Sequence, residues 1–201
     1  LNLVSSGNSK SHKEFPRPVY GSFKESIAAP YIVVNPNASK MAYERRLPAE
    51  YFVKLTDVLS EDGIFRVILT GSVEEISYVS AIHNRSKSKE NITNLAGKLS
   101  VNELFSLIAG AECLITNDSG PLHIATALNK PVIAFFGPES PVRYGPLSSK
   151  QLVFYRGLEC SPCMSVSNSK TVNCIYSEPK CMTGFDIDEI IHRIDEFMKK
   201  F

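Results

Sequence analysis

The sequence has no excess of either charge and no long apolar run. Its 201 residues include 22 basic and 21 acidic side chains, for a formal net charge of +1. This balance gives no field that would attract nucleic acid, and no run of like charges marks a polar tail. No apolar stretch approaches the roughly 20 residues that a transmembrane helix needs, and no signal peptide is visible. We therefore expect no nucleic-acid partner and no transmembrane segment.

What the sequence does contain is a repeating pattern of a strand followed by a helix. Apolar, strand-like runs occupy 31–35, 65–69 and 131–136, and another begins at Cys113. Helical spacing of apolar residues occurs over 49–59, 73–84, 101–109 and 121–129. Nearly continuous apolar strands that alternate with helices indicate a parallel sheet covered on both faces. We predict an α/β, Rossmann-like domain of three layers, with a parallel sheet of about six strands.

The length of the chain agrees with one such domain. Residues 1–29 are rich in Ser, Lys and Pro without clear periodicity, and we interpret them as a linker or the remnant of an upstream region. Residues 30–201 form the predicted domain. Near its end, 186–201 has the spacing of an amphipathic helix that packs on the domain.

The segment 113–128 carries the clearest functional signal. A short apolar strand breaks at Asn-Asp-Ser-Gly-Pro and at once becomes a helix. Because Pro121 suits the first helical turn, free backbone N–H groups near Ser119 and Gly120 would point out of the helix end, where a phosphate fits. His123 adds a side-chain donor on the same turn. The alternative is an ordinary capped helix, with Asp118 or Ser119 as the cap.

Other polar turns fall at equivalent places in the pattern. The sequence reads Pro-Asn-Ala-Ser-Lys after the first strand-like run, Thr-Gly-Ser-Val-Glu-Glu after the second, and Gly-Pro-Glu-Ser-Pro after 131–136. In parallel sheets, ligands bind outside the carboxyl ends of the strands, near the point where the strand order reverses. We therefore expect four polar loops to converge on one ligand site.

Seven short motifs carry a resemblance to a known family. They are NPNAS (35–39), RRLP (45–48), LTGS (69–72), NLAGK (94–98), TNDSGPLHIA (116–125), FFGP (135–138) and CSPC (160–163). In this order and spacing they resemble the heptosyltransferases of glycosyltransferase family 9. More narrowly, the match from about Tyr31 onward resembles the C-terminal, donor-binding half of these GT-B enzymes.

The resemblance implies a division of labour between two facing Rossmann-like domains. The first binds the acceptor and the second binds the nucleotide sugar, with the reaction in the cleft between them. It implies an ADP-heptose-like donor, a glycolipid or saccharide acceptor of the lipopolysaccharide type, and a location in the cytoplasm, either free or peripheral at the inner membrane. Residues 30–201 would then be the nucleotide-sugar-binding domain.

The resemblance also implies which groups stabilise the leaving diphosphate. Breaking a sugar–diphosphate bond moves negative charge onto a phosphate oxygen, and the enzyme must stabilise that charge. The helix start at Ser119 and Gly120, together with His123 and a cation, would do so without a metal cofactor. Arg45 is the expected cation, because a guanidinium binds phosphate oxygens bidentately and stays charged. A solvated surface Arg is the alternative for Arg45.

Further donor-binding candidates follow the first two strands and precede the helix of the anion site. They are Asn37, Ala38, Ser39, Gly71, Ser72, Glu74, Glu75 and Asp118. Turn formation explains Asn37 and Ser39 equally well. Glu74 or Glu75 would accept from ribose hydroxyls, or would be a first-turn acid of the next helix. Asp118 would bind donor-sugar hydroxyls or fix its own loop.

Two departures from the family pattern matter. Leu47 stands where the family usually has Trp, which removes one aromatic wall. The acceptor domain, which is expected to supply the carboxylate base, is missing, so we expect this chain to bind the donor without turnover. The alternatives are a nucleotide-binding or scaffold module without transfer activity, and a domain similar to nucleotide-sugar epimerases.

Four cysteines lie close together before the last helix, in the Cys-rich segment 160–181. They are Cys160, Cys163, Cys174 and Cys181. A Cys-x2-Cys pair followed by two more cysteines is compatible with a closed structural zinc site. Two disulfides or four free thiols are the alternatives. No His lies within the segment, which argues against a catalytic role.

Overall fold

Six parallel strands form one open sheet in the computed structural model, which describes residues 27, 30–40, 42–165, 172 and 174–200. The strands are β1 (Tyr31–Asn35), β2 (Arg66–Leu69), β3 (Ile92–Asn94), β4 (Cys113–Asn117), β5 (Val132–Phe136) and β6 (Gln151–Tyr155). Their order across the sheet is β3-β2-β1-β4-β5-β6, and every neighbouring pair is parallel. The strand order therefore reverses between β1 and β4, and the predicted fold class is confirmed.

Helices connect these strands and cover both faces of the sheet. They are α1 (Ala49–Ser60), α2 (Ile76–Arg85), α3 (Val101–Gly110), α4 (Gly120–Ala127), α5 (Pro141–Tyr144), α6 (Lys180–Thr183) and α7 (Ile187–Met198). Short 3-10 turns occur at Tyr43–Arg45, Val73–Glu75 and Lys89–Asn91. In the described part of the chain, none of the helices has the length and hydropathy that crossing a bilayer requires.

The core is divided into two apolar clusters, one on each face of the sheet. Alternate side chains of β1 point to opposite faces, so Ile32 packs with α1 and α7 while Val33 packs with α3 and α4. On the first face, the ring of Phe135 stacks on that of Phe154 with centroids 5.1 Å apart. Burial on both faces explains why the central strands consist almost entirely of apolar residues.

Most predicted elements agree with the structure to within a residue or two, with three differences. The helix predicted from residue 73 begins as a 3-10 turn and becomes α-helical at Ile76. The strands β3 and β6 and the short helices α5 and α6 were not predicted. The last helix ends at Met198 rather than at 201. Of the predicted linker, residues 1–26, 28 and 29 lie outside the described part.

Candidate functional site

A cavity of about 770 Å³ lies at the carboxyl edge of the sheet, around the point where the strand order reverses. The loops that follow β1, β2, β3 and β4 all contribute to its wall, whereas the predicted loop after β5 does not. Nine of the predicted donor-binding residues line it, namely Asn37, Ala38, Ser39, Gly71, Ser72, Glu74, Glu75, Ser119 and Gly120. The predicted Arg45, Asp118 and His123 do not. The volume falls in the range of small-molecule sites.

The helix at this cavity, α4, begins without a side-chain cap. Ser119 is the N-cap residue, but its hydroxyl pairs with the Thr116 hydroxyl at 2.8 Å. Asp118 does not cap the helix either, because its carboxylate is bound to Arg45. Neither predicted cap therefore accepts from the first turn of α4 in the part of the chain that the structure describes, and Ser119 and Gly120 lie on the cavity wall. This arrangement favours the anion site over the ordinary capped helix.

Arg45 is held at the edge of the cavity by two side chains. Its Nη1 donates to Asp118 Oδ2 at 3.1 Å, and its Nη2 donates to Ser39 Oγ at 2.8 Å. The side chains of Arg45 and Asp118 are only 14% and 8% exposed. Arg45 is therefore not the solvated surface residue that was its alternative, although it contacts the cavity wall through Ser39 rather than lining it.

Asn117, the last residue of β4, joins the loops on either side of Arg45. Its Nδ2 donates to the Pro36 and Asn37 carbonyls at 2.9 and 3.2 Å, and its Oδ1 accepts from the Leu47 N–H at 3.0 Å. The side chain is fully buried. These bonds fix the loop after β1 against the end of β4, so Asn117 is a positioning residue that the sequence interpretation did not single out.

Arg46, the next residue, lines the cavity and is stacked between two tyrosines. Its guanidinium carbon lies 4.5 Å from the Tyr43 ring centroid and 4.4 Å from that of Tyr78. Its Nη2 donates to the Ala38 carbonyl at 3.0 Å and lies 3.5 Å from Glu75 Oε1. Burial raises the pKa of Tyr78 to about 12, against the opposing effect of the Arg46 charge. Arg46 thus braces α2 against the loop after β1.

The two glutamates after β2 have different partners. Glu75 Oε2 accepts from the Ser72 N–H at 2.9 Å, as in a capping box at the start of the helical segment. Glu74 forms an exposed ion pair with Lys40 at 3.1 Å on the cavity rim. Glu75 therefore has the first-turn role that the sequence left open, and a contact of either carboxylate with ribose stays a prediction.

Asn37 is buried on the cavity wall, and only the nitrogen of its side-chain amide has a hydrogen-bond partner among the described residues. Its Nδ2 donates to the Thr70 carbonyl at 2.8 Å, whereas its Oδ1 has no hydrogen-bond partner among the described residues. His123 differs, because it is exposed on α4 and does not line the cavity. A direct role for His123 in binding stays a prediction.

Leu47 does not face the cavity. It is 0% exposed and packs in the core cluster with α1 and α7. The aromatic side chains on the cavity wall are those of Tyr43 and Tyr78 instead, and the sequence interpretation missed both. It also missed the apolar side chains of Leu99, Val101 and Leu104 on the cavity wall. These residues follow β3, the strand that was not predicted.

The four clustered cysteines line a separate cavity of about 80 Å³. The described cysteines form no disulfide, which leaves the disulfide interpretation without support. Within the described ranges, no three His, Cys, Asp or Glu side chains are arranged to hold a metal ion. Burial and the neighbouring cysteines raise the pKa of Cys163 and raise that of Cys181 to about 11. The zinc interpretation gains no support here and stays a prediction.

Comparisons with known proteins agree with this architecture. The family model for glycosyltransferase family 9 (heptosyltransferase) matches residues 2–172. Lipooligosaccharide heptosyltransferase 2 of Haemophilus influenzae is 39% identical over 111 residues, which are 54% of this chain and 32% of the relative. Lipopolysaccharide heptosyltransferase 2 of Escherichia coli is 33% identical over 133 residues, which are 65% of this chain and 38% of the relative.

Among solved structures, that of E. coli ADP-heptose LPS heptosyltransferase II is similar to this chain with a TM-score of 0.71 and 24% identity. The similarity covers 89% of this chain and 49% of the other, and it supports the fold. The matches to the two curated relatives described above span less than half of each relative's length. Because the family model covers most of its sequence, this chain belongs to glycosyltransferase family 9, the heptosyltransferases.

Proposed function

We propose that this chain is the donor-binding domain of an inverting glycosyltransferase that moves a heptose-like sugar from a nucleoside diphosphate to a lipopolysaccharide-type acceptor. The observation that carries the proposal is the cavity at the strand-order reversal, with the uncapped start of α4 on its wall. A nucleoside diphosphate needs both an anion site and room for its nucleoside. The cavity offers both, with Ser119 and Gly120 on its wall and apolar side chains, including that of Leu99, elsewhere on it.

In this proposal the chain's own groups stabilise the leaving diphosphate. As the sugar–phosphate bond breaks, charge develops on a phosphate oxygen that faces the first turn of α4 and the Arg45 guanidinium. Fixed donors are effective here because they need not reorient during the reaction. No step requires a metal cofactor, since N–H groups and a guanidinium supply the positive charge.

The proposed donor is ADP-heptose or a close relative of it. Support comes from family membership and from the E. coli structural neighbour, which is named as an ADP-heptose enzyme. We assign the acceptor and the carboxylate base to a separate acceptor-binding domain. The base would deprotonate the acceptor hydroxyl, which then attacks the sugar carbon from the face opposite the leaving diphosphate.

Calorimetric titration with a nucleotide panel tests this proposal. ADP and ADP-heptose should bind, and both should bind more tightly than UDP, GDP, UDP-N-acetylglucosamine or AMP. Binding should be weak, because one side of the ligand stays in water without the facing domain. Equal affinity for AMP and ADP would contradict the diphosphate site. Absence of binding across the whole panel would contradict the proposed function itself.

A further inference from the structure

We propose that Asp118 is a positioning residue that holds the Arg45 guanidinium ready for the diphosphate. The inference rests on the proposed function, which supplies the diphosphate as the group to be bound. It gives Asp118 a role exerted through another side chain. This differs from the direct contact with donor-sugar hydroxyls that the family resemblance favours.

The contacts of Arg45 show how it is immobilised. One terminal nitrogen donates to Asp118 Oδ2 at 3.1 Å and the other to Ser39 Oγ at 2.8 Å. With only 14% of its side chain exposed, Arg45 has little freedom to sample other rotamers. Holding a long cationic side chain in place before the ligand arrives reduces the entropy that binding must overcome.

The backbone around Arg45 is held by the residue next to Asp118. The Asn117 side chain accepts from the N–H of Leu47, two residues after Arg45, and donates to the Pro36 carbonyl. Consecutive residues at the end of β4 therefore fix both the main chain and the guanidinium of the same segment. Because Asp118 directly precedes Ser119, the guanidinium is anchored beside the start of α4, and the two positively polarised groups are held together.

The negative charge of Asp118 makes this inference testable, because the two possible roles of Asp118 predict opposite changes in affinity when that charge is removed. A carboxylate next to a site for a diphosphate repels the ligand, so electrostatics alone predicts that its removal strengthens binding. Positioning predicts the opposite, because Arg45 would lose its charged anchor. The bonds to Asp118 and Ser39 use two of the five N–H groups of the guanidinium, one on each terminal nitrogen. The second N–H of each terminal nitrogen is left for a phosphate oxygen that reaches the edge of the cavity, whereas the buried Nε–H is not exposed to a ligand.

The first measurement is the affinity for ADP of the intact chain and of Asp118→Asn. The amide keeps the shape of the carboxylate and removes its charge, and we expect about tenfold weaker binding, as for loss of a charge-assisted hydrogen bond. Glu61→Gln is the matched control, because Glu61 is exposed just after α1, at the opposite edge of the sheet. It should leave the affinity unchanged. Thermal melting should verify that each variant is folded.

The decisive measurement is a double-mutant cycle with Arg45→Ala. If Asp118 acts through Arg45, Asp118→Asn should cause no further loss in the Arg45→Ala background, and relief of repulsion should raise the affinity slightly. Ser39→Ala changes an exposed residue and repeats the test without risk to folding; it should weaken binding only when Arg45 is present.

Each other outcome overturns one of the two proposals. An equal loss from Asp118→Asn with and without Arg45 would mean that Asp118 acts on the ligand or its own loop. Unchanged or tighter binding by Asp118→Asn would also overturn the positioning role. In both cases the proposed function stands, because the intact chain still binds ADP. If the intact chain binds no nucleoside diphosphate, the proposed function fails, and the positioning role fails with it.

Discussion

At the scale of single residues, the end of β4 places two polar side chains with different tasks side by side. Asn117 is fully buried, and its amide forms three hydrogen bonds with the main chain of the loop after β1. Asp118 forms an ion pair with Arg45 instead. One residue fixes backbone and the next fixes a cation, so the geometry of the site depends on both.

Replacing Asn117 by Ala should destabilise the domain. The change leaves the Leu47 N–H and the Pro36 and Asn37 carbonyls without their side-chain partner in a buried place. Each unsatisfied buried group costs about 1–3 kcal/mol, and partial relaxation should keep the total near 2–4 kcal/mol. Urea denaturation monitored by circular dichroism measures the free energy of unfolding. Asn84→Ala, on the exposed face of α2, is the control and should cost less than about 0.5 kcal/mol.

Arg45→Ala should weaken ADP binding by about 1–3 kcal/mol, since a charged hydrogen-bond partner is lost. His123→Ala carries the same expectation from the family resemblance. Matched controls are Arg66→Ala, at the amino end of β2, and His192→Ala, on the exposed side of α7. Calorimetry at fixed ionic strength gives the four affinities. If Arg45→Ala and His123→Ala bind like the controls, the anion site lies elsewhere in the chain.

The sequence located the wall of the site better than its internal contacts. Motif order and turn chemistry identified nine residues on the cavity wall, because loops after parallel strands meet at one edge. The Arg45–Asp118 pair spans 73 positions in the sequence, and no local pattern encodes such a contact. The burial of Leu47 was also hidden, because its place in a polar loop gave no sign that it belongs to the core.

At the scale of elements, two glycines in left-handed backbone conformations allow a test of how tightly the loop after β3 packs against α2. Gly97 lies in this loop, and Gly63, which follows α1, is its control. Gly97 and Gly63 have φ values of +74° and +69°. A Cβ at Gly97 would lie 2.5 Å from the Ile76 side chain, whereas one at Gly63 would meet nothing closer than 3.8 Å. The two positions therefore share the same backbone strain and differ in steric space.

Gly63→Ala should cost about 1–2 kcal/mol of unfolding free energy from backbone strain alone. Gly97→Ala should cost roughly 1–3 kcal/mol more, because the methyl group displaces Ile76 at the start of α2. It should also weaken ADP binding, since α2 and the loop after β3 both line the cavity. Chemical denaturation and calorimetry of the same two proteins provide the comparison. Equal stability losses would show that Ile76 moves aside without cost.

Periodicity predicted the long elements and missed the short ones, for reasons that the structure makes clear. The strand β3 has only three residues, too few to display a pattern. The strand β6 has a readable apolar run, 152–155, which the sequence interpretation overlooked even though the strand lies at the edge of the sheet. The 3-10 start of the α2 segment also had a readable signal in Ser-Val-Glu-Glu, which has capping-box spacing.

At the scale of the whole molecule, topology brings distant segments to one cavity. The alternation of strands and helices predicted parallel strands, whereas the order in which they pair depends on tertiary packing. With β1 and β4 adjacent at the centre, the loops after these strands are joined by hydrogen bonds, and the loops after β2 and β3 complete the cavity wall. Because the strand order reverses between β1 and β4, Asp118 at the end of β4 can hold the Arg45 guanidinium beside the start of α4.

The proposed division of labour between two domains leads to a prediction about activity. We expect the 201-residue chain to lack glycosyl transfer by itself and to gain it when joined to an N-terminal acceptor-binding domain, such as that of the E. coli relative. Groups that stabilise a leaving diphosphate do not create an attacking alkoxide, and general base assistance typically contributes a further factor of about 100 to 10,000. An acceptor free in solution also lacks the orientation that a facing domain provides.

A transfer assay with ADP-heptose and lipopolysaccharide-core acceptors measures this difference directly. The isolated chain should release ADP no faster than buffer, while the joined protein should form glycosylated acceptor. Arg45→Ala in the joined protein should lower the rate, because leaving-group stabilisation is lost while the base is retained. Asp118→Asn should also lower the transfer rate, because it releases Arg45, and it should cause little further loss in the Arg45→Ala background. Robust turnover by the 201-residue chain alone would mean that the base lies within it and that the assignment of the base to a second domain is wrong.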